Sequence, residues 1–338
     1  MSDADRLGAR EWATRLLALV LAAGVVVGVA AGGAAVADDD QESTDEALAI
    51  PEYQPDNVSV EYIPAEGEVT PSRDAVVGSG TVVIDAGHGN RYDRTTIEPL
   101  VRGLTRVGYD VEIYRTGDLA ETLEGAKAFV VIDPSQEYRP GDVDDVRRFT
   151  GQGGRLLIVG EPNRISVSAS LFGSSITTQE SALTTLGAAY GTSVGTAYLY
   201  NQESADANYK HLTTRPTDAE GLDGIDRTTM YTAGAVRMRG GETLLRSAPG
   251  TVKSTTDDEQ GRHPVAARRN DVVVLGDKSF MRADRYRVAD NEAFVTYLVE
   301  FLASGDRDTS RSLTSGEETT ESPTENTTVA PADTVDVD

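Results

Sequence analysis

The sequence predicts an α/β fold: an open, mostly parallel sheet with helices on both faces, a β-rich elaboration, and one N-terminal transmembrane helix. Three observations carry this expectation. Thr81 to Ile84 is a short apolar run that ends at Asp85 and a glycine turn, Gly87-His88-Gly89-Asn90. Similar runs alternate with stretches of helical spacing, which is how a parallel sheet with crossover helices reads. Leu16 to Ala37 contains no charged residue, and about 20 apolar residues suffice to cross a bilayer as a helix.

Residues 1–15 are mostly polar and charged, with Arg6, Arg10 and Arg15 ahead of the apolar run, and Asp38-Asp39-Asp40 follows it. Arginines on the near side predict a cytoplasmic N-terminus and a body outside the cell. Residues 16–37 are thus expected to be a retained single-pass anchor in the cell membrane. Ala35-Val36-Ala37 also fits a signal-peptide cleavage site, so removal after Ala37 stays open. Residues 38–79 read as a linker, with Pro51, Pro55, Pro64 and Pro71 among acidic and small residues. Asn57-Val58-Ser59 is an N-glycosylation sequon, in agreement with an outside location.

The folded body is expected over residues 80–303. After the glycine turn, Ile97, Leu100, Val101, Leu104 and Val107 repeat at helical spacing. Thr95-x-x-Glu98 reads as a capping box, Pro99 as a first-turn proline, and Gly108 as the stop. Asp110 to Tyr114 is the second strand. Asp118 to Glu124 is a short helix or turn, and Ala126 to Ile132 the third strand, closed by Asp133-Pro134-Ser135. A helix starts near Pro140, and Arg155 to Gly160 is a fourth strand running into Glu161-Pro162. Between 163 and 265 the pattern weakens. Thr184 to Ala189 can finish a helix, and short β-like pieces follow at 196–200, 208–212, 228–231, 235–238 and 243–246. They are expected to pack on the sheet as an antiparallel elaboration. Asp271 to Leu275 is a buried strand followed by Gly276-Asp277. Asp290 is placed to cap a last helix whose stripe is Phe294, Tyr297, Leu298, Phe301 and Leu302. Residues 304–338 are rich in Thr, Ser, Glu and Pro, carry a second sequon at Asn326, and read as a disordered tail.

Composition narrows the function. The chain has 55 acidic and 31 basic residues, a net charge of −24, and only four lysines: Lys127, Lys210, Lys253 and Lys278. An acidic, lysine-poor chain suits molar salt, where the Debye length falls to about 3 Å and carboxylate repulsion is screened. No basic stripe appears, so nucleic acid is not an expected partner. The absence of cysteine excludes disulfides, thiolate metal sites and a cysteine nucleophile.

Several motifs carry a family resemblance. Asp85-Ala-Gly-His-Gly-Asn90, Asp133-Pro-Ser135, Gly153-Gly154, Gly276-Asp-Lys-Ser-Phe280 and Ala289-Asp-Asn-Glu-Ala-Phe294 resemble domain of unknown function 4350. The resemblance covers about two-thirds of the chain, and Gly-Asp…Asp-Asn…Phe is its most specific part. It implies a sheet like that of class I glutamine amidotransferases. It also implies a membrane-attached setting in archaea or bacteria; with the composition, this points to a halophilic archaeon. Similar modules occur in auxiliary proteins of gliding-type ABC transporters, so subunits of a membrane complex are the implied partners. No reaction comes with the resemblance.

Asp85, Asp133, Glu161 and Asp277 all follow parallel-type strands, so their carboxylates are expected along one sheet edge. With Gly87, His88, Gly89, Asn90 and Ser135 they form the expected ligand-binding set; the ligand is unknown and no cofactor is expected. Asp after a strand also commonly caps the next turn. The glycine turn offers an anion cradle at a helix start but lacks a P-loop lysine. Asp85-x-Gly-His88 further resembles the first metal segment of zinc-dependent N-acetylmuramoyl-L-alanine amidases, with Glu98, His211 and His263 as the remaining candidate ligands. The expected function is a non-catalytic, membrane-anchored binding or scaffold module. The alternative is a metal-assisted hydrolase around His88, Asp133, Glu161 and Asp277.

Overall fold

The computed structural model describes residues 67–72, 76, 78–170, 173–205, 208–255 and 260–313. The expected anchor at 16–37, most of the expected linker and the tail beyond 313 lie outside the described residues. Among those described, no helix is long and apolar enough to cross a membrane.

A nine-stranded mixed sheet organises the body. Its parallel half comprises β1 (Thr81–Asp85), β2 (Asp110–Tyr114), β3 (Ala126–Ile132), β4 (Arg155–Val159) and β14 (Val272–Leu275). These lie in the order β2-β1-β3-β4-β14, with every neighbouring pair parallel. Such an order reverses direction between β1 and β3, where doubly wound sheets open a crevice for ligands. The four inner strands are almost wholly buried, which is why they read as continuous apolar runs rather than alternating ones. β2 closes one side with alternating exposure and carries Asp110 and Glu112 outward, charges that discourage further strand pairing.

Helices cover both faces. On one, α1 (Arg94–Arg106) and α5 (Asn291–Ala303) pack Leu100, Leu104, Phe294 and Leu298 against Val82, Ile84, Val130 and Leu157. On the other, α2 (Leu119–Glu124), α3 (Pro140–Gly151) and α4 (Thr184–Tyr190) pack Leu123, Val146, Phe149 and Leu186 against Val83, Phe129, Val131 and Ile158. The period of two along each strand sends alternate side chains to the two cores.

Helix α1 starts two residues earlier than its sequence suggests. Asp93 is the cap, accepting from Thr96 N at 2.9 Å, so Thr95 and Glu98 lie inside the helix and do not form the expected box. Pro99 is consequently interior rather than in the first turn. It lacks the N–H that Thr95 O would accept. The amide of Ala283 fills that place at 2.8 Å, tying α1 to the segment after β14. Gly108 stops the helix at φ +89°, as expected. Asp290 stands at the start of α5 without capping it; its carboxylate instead accepts from Asp226 N and Arg227 N, both at 2.8 Å.

The elaboration does not simply pack on the sheet; much of it extends it. β13 (Pro264–Arg269), β11 (Glu242–Ser247), β8 (His211–Pro216) and β9 (Thr228–Tyr231) continue outward from β14, each antiparallel to its neighbour. A second sheet joins β10 (Gly234–Met238), β7 (Thr192–Tyr200) and β12 (Val252–Lys253). β5 (Arg164–Ser170) and β6 (Gly173–Gln179), which the apolar pattern does not mark, form an antiparallel hairpin of their own.

Order extends beyond both expected limits of the body. Val69 is buried against α1 at Gly103, and its carbonyl accepts from Arg106 at 2.5 Å. After residue 303, Arg307 is fully buried and donates to the carbonyls of Leu123, Glu124 and Ala126.

Candidate functional site

The topology brings Asp85, Asp133, Glu161 and Asp277 to the carboxyl ends of β1, β3, β4 and β14, side by side in the sheet. All four are buried. They form two linked groups, and each carboxylate is engaged by the protein's own donors.

Asp85 accepts from Gly87 N at 2.9 Å, from His88 Nδ1 at 3.0–3.1 Å and from the Tyr138 hydroxyl. The His88 ring stacks on Tyr138 with centroids 3.7 Å apart, and its Nε2 faces Asp142 at 3.7 Å. Burial by itself lowers the His88 pKa, but the hydrogen bond and charge of Asp85, with Asp142, outweigh it and leave the pKa raised. Burial, then Asp85, hold the Tyr138 hydroxyl well above its ordinary range, so it is a neutral donor.

Asp133 occupies the left-handed region at φ +44°, a conformation short polar residues reach most readily. Its carboxylate receives Arg91 at 2.5 and 3.2 Å, Ser181 Oγ at 2.6 Å and Lys278 Nζ. Glu161 accepts from Lys278 N at 2.8 Å and pairs with Arg164. Ser181 also accepts from Glu161 N at 2.9 Å, joining the β3 and β4 ends. Burial first, then the charge of Asp277, push the Glu161 carboxyl up to about 8, against Arg164 and Lys278. Burial raises Asp277 too.

The crevice between β1 and β3 is laced across. Ser135 N and Gln136 N both donate to His88 O at 3.0 Å, Arg91 N donates to Asp133 O at 3.0 Å, and Asn90 Nδ2 reaches Ile132 O at 3.1 Å. Ser135 Oγ donates to Gly89 O at 2.8 Å. In the turn expected to cradle an anion, the Gly87 and His88 amides already serve Asp85 and Asn90. The start of α1 is taken by Asp93. At the β4 end, a Cβ on Gly160 would come within 2.7 Å of Val194 and 3.0 Å of Leu183, so β7 and the approach to α4 cover the Gly160-Glu161-Pro162 turn.

Among the described residues, no three His, Asp or Glu side chains gather so as to hold a metal ion. Glu98 pairs with Arg102 on α1, His211 packs edge-on to Tyr231, and His263 Nε2 meets Thr251 O. The zinc set drawn from His88, Glu98, His211 and His263 is therefore not assembled.

The Gly-Asp…Asp-Asn…Phe pattern is a staple that holds β9. Asp277 accepts from Tyr231 N at 2.6 Å and Ser279 N at 2.7 Å. Asn291 exchanges bonds with Thr229, at 2.9 Å to its N and 3.1 Å to its O. Phe294 lies between Phe280 and Tyr297. Sequence reasoning missed the partners Arg91, Tyr138, Arg164, Ser181 and Lys278. Lys278 alone left a signal: one of four lysines, it directly follows Gly276-Asp277.

A family model described as "Domain of unknown function (DUF4350)" matches residues 98–299. No curated protein matches the chain. Among solved structures, one described as the mmIFT52 N-terminal domain is 14% identical. It covers 67% of this chain and 98% of its own, with a TM-score of 0.52. Another, described as a GMP synthase protein from Thermoplasma acidophilum, is 10% identical. It covers 68% of this chain and 96% of its own, with a TM-score of 0.39. At such identities the first likeness concerns the fold alone.

Proposed function

Because the chain belongs to the DUF4350 family, whose function is unknown, we propose from the site itself that the protein is a non-catalytic, membrane-anchored binding or scaffold module. One observation carries the reading: every strand-end carboxylate is engaged by the protein's own donors, and the β1/β3 crevice is stitched across. The edge of the sheet then fixes loops rather than substrate. Asp133, Glu161, Arg91 and Ser181 clamp both roots of the β5–β6 hairpin, which leaves the sheet after Glu161 and returns at Glu180. Recognition of a partner protein falls to surfaces those loops hold out.

The setting belongs to the same proposal: a halophilic archaeal membrane, the N-terminus in the cytoplasm and the body outside. The uncharged run at 16–37, the arginines before it, and the acidic, lysine-poor composition support it. The amidotransferase comparison concerns architecture only, since the chain has no cysteine. The metal-assisted hydrolase has no gathered ligand set to favour it among the described residues.

The test is photo-crosslinking of the full chain in its native membranes, with adducts identified by mass spectrometry, beside hydrolysis assays on the purified chain with added zinc. Discrete protein adducts through the body are expected. Hydrolysis of peptide, ester or phosphate reporters that disappears in His88→Ala would overturn the reading.

A further inference from the structure

Neighbouring strands of the antiparallel half carry a like-charge pair. Arg215 on β8 stands directly opposite Arg246 on β11. Side chains so placed share a face with Cβ atoms about 5 Å apart, and like charges there are destabilising. The other end of β11 shows the ordinary arrangement, Glu242 opposite Arg268 on β13. A third arginine, Arg262, lies just before β13 and lines one cavity of about 260 Å³ with Arg215 and Arg246. Among the described residues, none of these three guanidiniums pairs with a carboxylate; Arg246 donates to Thr243 Oγ1 at 3.2 Å. Asp218 is the one carboxylate among the residues that line the cavity, and it pairs with none of them. Acidic side chains outnumber basic ones in the body, so the convergence does not come from an abundance of arginine.

An anion held between the guanidiniums turns this repulsion into attraction. Each guanidinium presents a planar fork of donors that matches the oxygens of phosphate or carboxylate. Charge and shape choose between the two. Three cations less the Asp218 carboxylate leave two positive charges around the cavity. That is the charge of a phosphate monoester above its second pKa of about 6, and its three terminal oxygens give one acceptor to each fork. A carboxylate brings half the charge and only two oxygens. Pro216 and Pro249 add apolar wall, against which a small organic group can lie.

We propose that the Arg215/Arg246/Arg262 cavity binds a phosphate monoester, the shared chemistry of a small soluble ester and a phosphatidate headgroup. The site lies apart from the strand-end carboxylates, and the inference goes beyond the scaffold reading and stands without it.

The test is isothermal titration of the full chain in neutral detergent, at fixed ionic strength and pH 7.5, with glycerol 3-phosphate as probe. Saturable binding at one site is expected. Arg246→Gln should weaken it about tenfold or more, and Arg246→Lys, which keeps the charge but not the fork, by less. Glycerate, the carboxylate counterpart, should bind about tenfold more weakly or worse. In phosphate-free buffer the urea midpoint of Arg246→Gln should hold or rise, because the opposed charges are relieved. Arg262→Gln, outside the strands, should repeat the loss of binding even if Arg246→Gln folds poorly. Dihexanoyl phosphatidate that binds more tightly than glycerol 3-phosphate assigns the group to a lipid headgroup, and equal binding to a soluble ester; either supports the site. The proposal is overturned if no saturable binding occurs, if Arg246→Gln and Arg262→Gln both bind like the wild type, or if glycerate binds as tightly as the phosphate. Asp257, Asp258 and Glu259 precede Arg262 in the sequence and lie outside the described residues. Binding that appears only in Asp257→Asn/Asp258→Asn/Glu259→Gln would give the arginines to those carboxylates and overturn the proposal as well.

Discussion

Glu161 accepts a backbone amide with one oxygen, meets Arg164 with the other, and lies close enough to Asp277 for the two charges to oppose each other. Burial, then Asp277, raise its pKa from an ordinary 4.5 to about 8. The folded chain therefore holds this proton more tightly than the unfolded one. By linkage, the stabilisation is complete below the unfolded value and is lost as pH rises through the folded value. Asp277 and His88, both raised, act with the same sign. Asp93, held down to about 2 mainly by Thr95 and Thr96, has the opposite sign, but its window lies below its ordinary 3.8. Urea denaturation at fixed molar salt should accordingly give a higher midpoint at about pH 5.5 than at about pH 8.5. Glu161→Gln should flatten that slope and leave the part due to Asp277 and His88. A slope in Glu161→Gln equal to that of the wild type would mean that Glu161 is ionised throughout.

At the scale of elements, the decisive contact is between two glycines. Gly234 N donates to Gly276 O at 2.8 Å, and a Cβ on Gly276 would stand 2.0 Å from the Gly234 carbonyl oxygen. Backbone meets backbone there, so no side chain can yield. Gly276→Ala should push β10 away from the end of β14 and cost about 2–3 kcal/mol, read as a lowered urea midpoint. Gly141→Ala, on the open side of α3 with nothing within 4 Å of its Cβ, should be neutral or stabilise by up to about 1 kcal/mol. A mild effect at Gly276 would show that the two sheets can separate without loss. Elements of this kind also explain what the sequence could reveal. β1, β3, β4 and β14 are legible because burial on both faces requires unbroken Val, Ile, Leu and Phe. β5 and β6 are not, because Ser and Thr alternate with their apolar residues and, among the described residues, no third strand pairs with them. β13 opens on Pro264 and buries only Val265, Ala266 and Ala267, too little apolar bulk to mark a strand. The strand-end carboxylates could be read from position alone. Their partners could not, since Lys278 reaches Asp133 across 145 residues and Ser181 across 48, and no local pattern encodes such pairings.

The chain's net charge of −24 is shared unevenly: residues 67–313 hold 35 acidic and 28 basic residues, a net of −7, and the remainder lies outside the described residues. Arg307 serves buried carbonyls, Lys278 and Arg91 serve Asp133, and Arg155 serves Asp271. Asp110, Glu112 and Glu121 are exposed carboxylates that belong to this small acidic excess. Their repulsion acts over about 10 Å at 0.1 M salt and about 3 Å at 1 M. Thermal stability should rise as KCl increases from about 0.1 to about 1 M, where screening becomes effective. Salt can also strengthen apolar burial, and two comparisons separate the causes. Asp110→Asn/Glu112→Gln/Glu121→Gln should gain stability at low salt and respond less to added KCl. Sucrose, which favours burial without screening, should not reproduce the gain of the wild type. Parallel salt curves for wild type and triple variant would assign the effect to burial and leave the acidic surface without a role in stability.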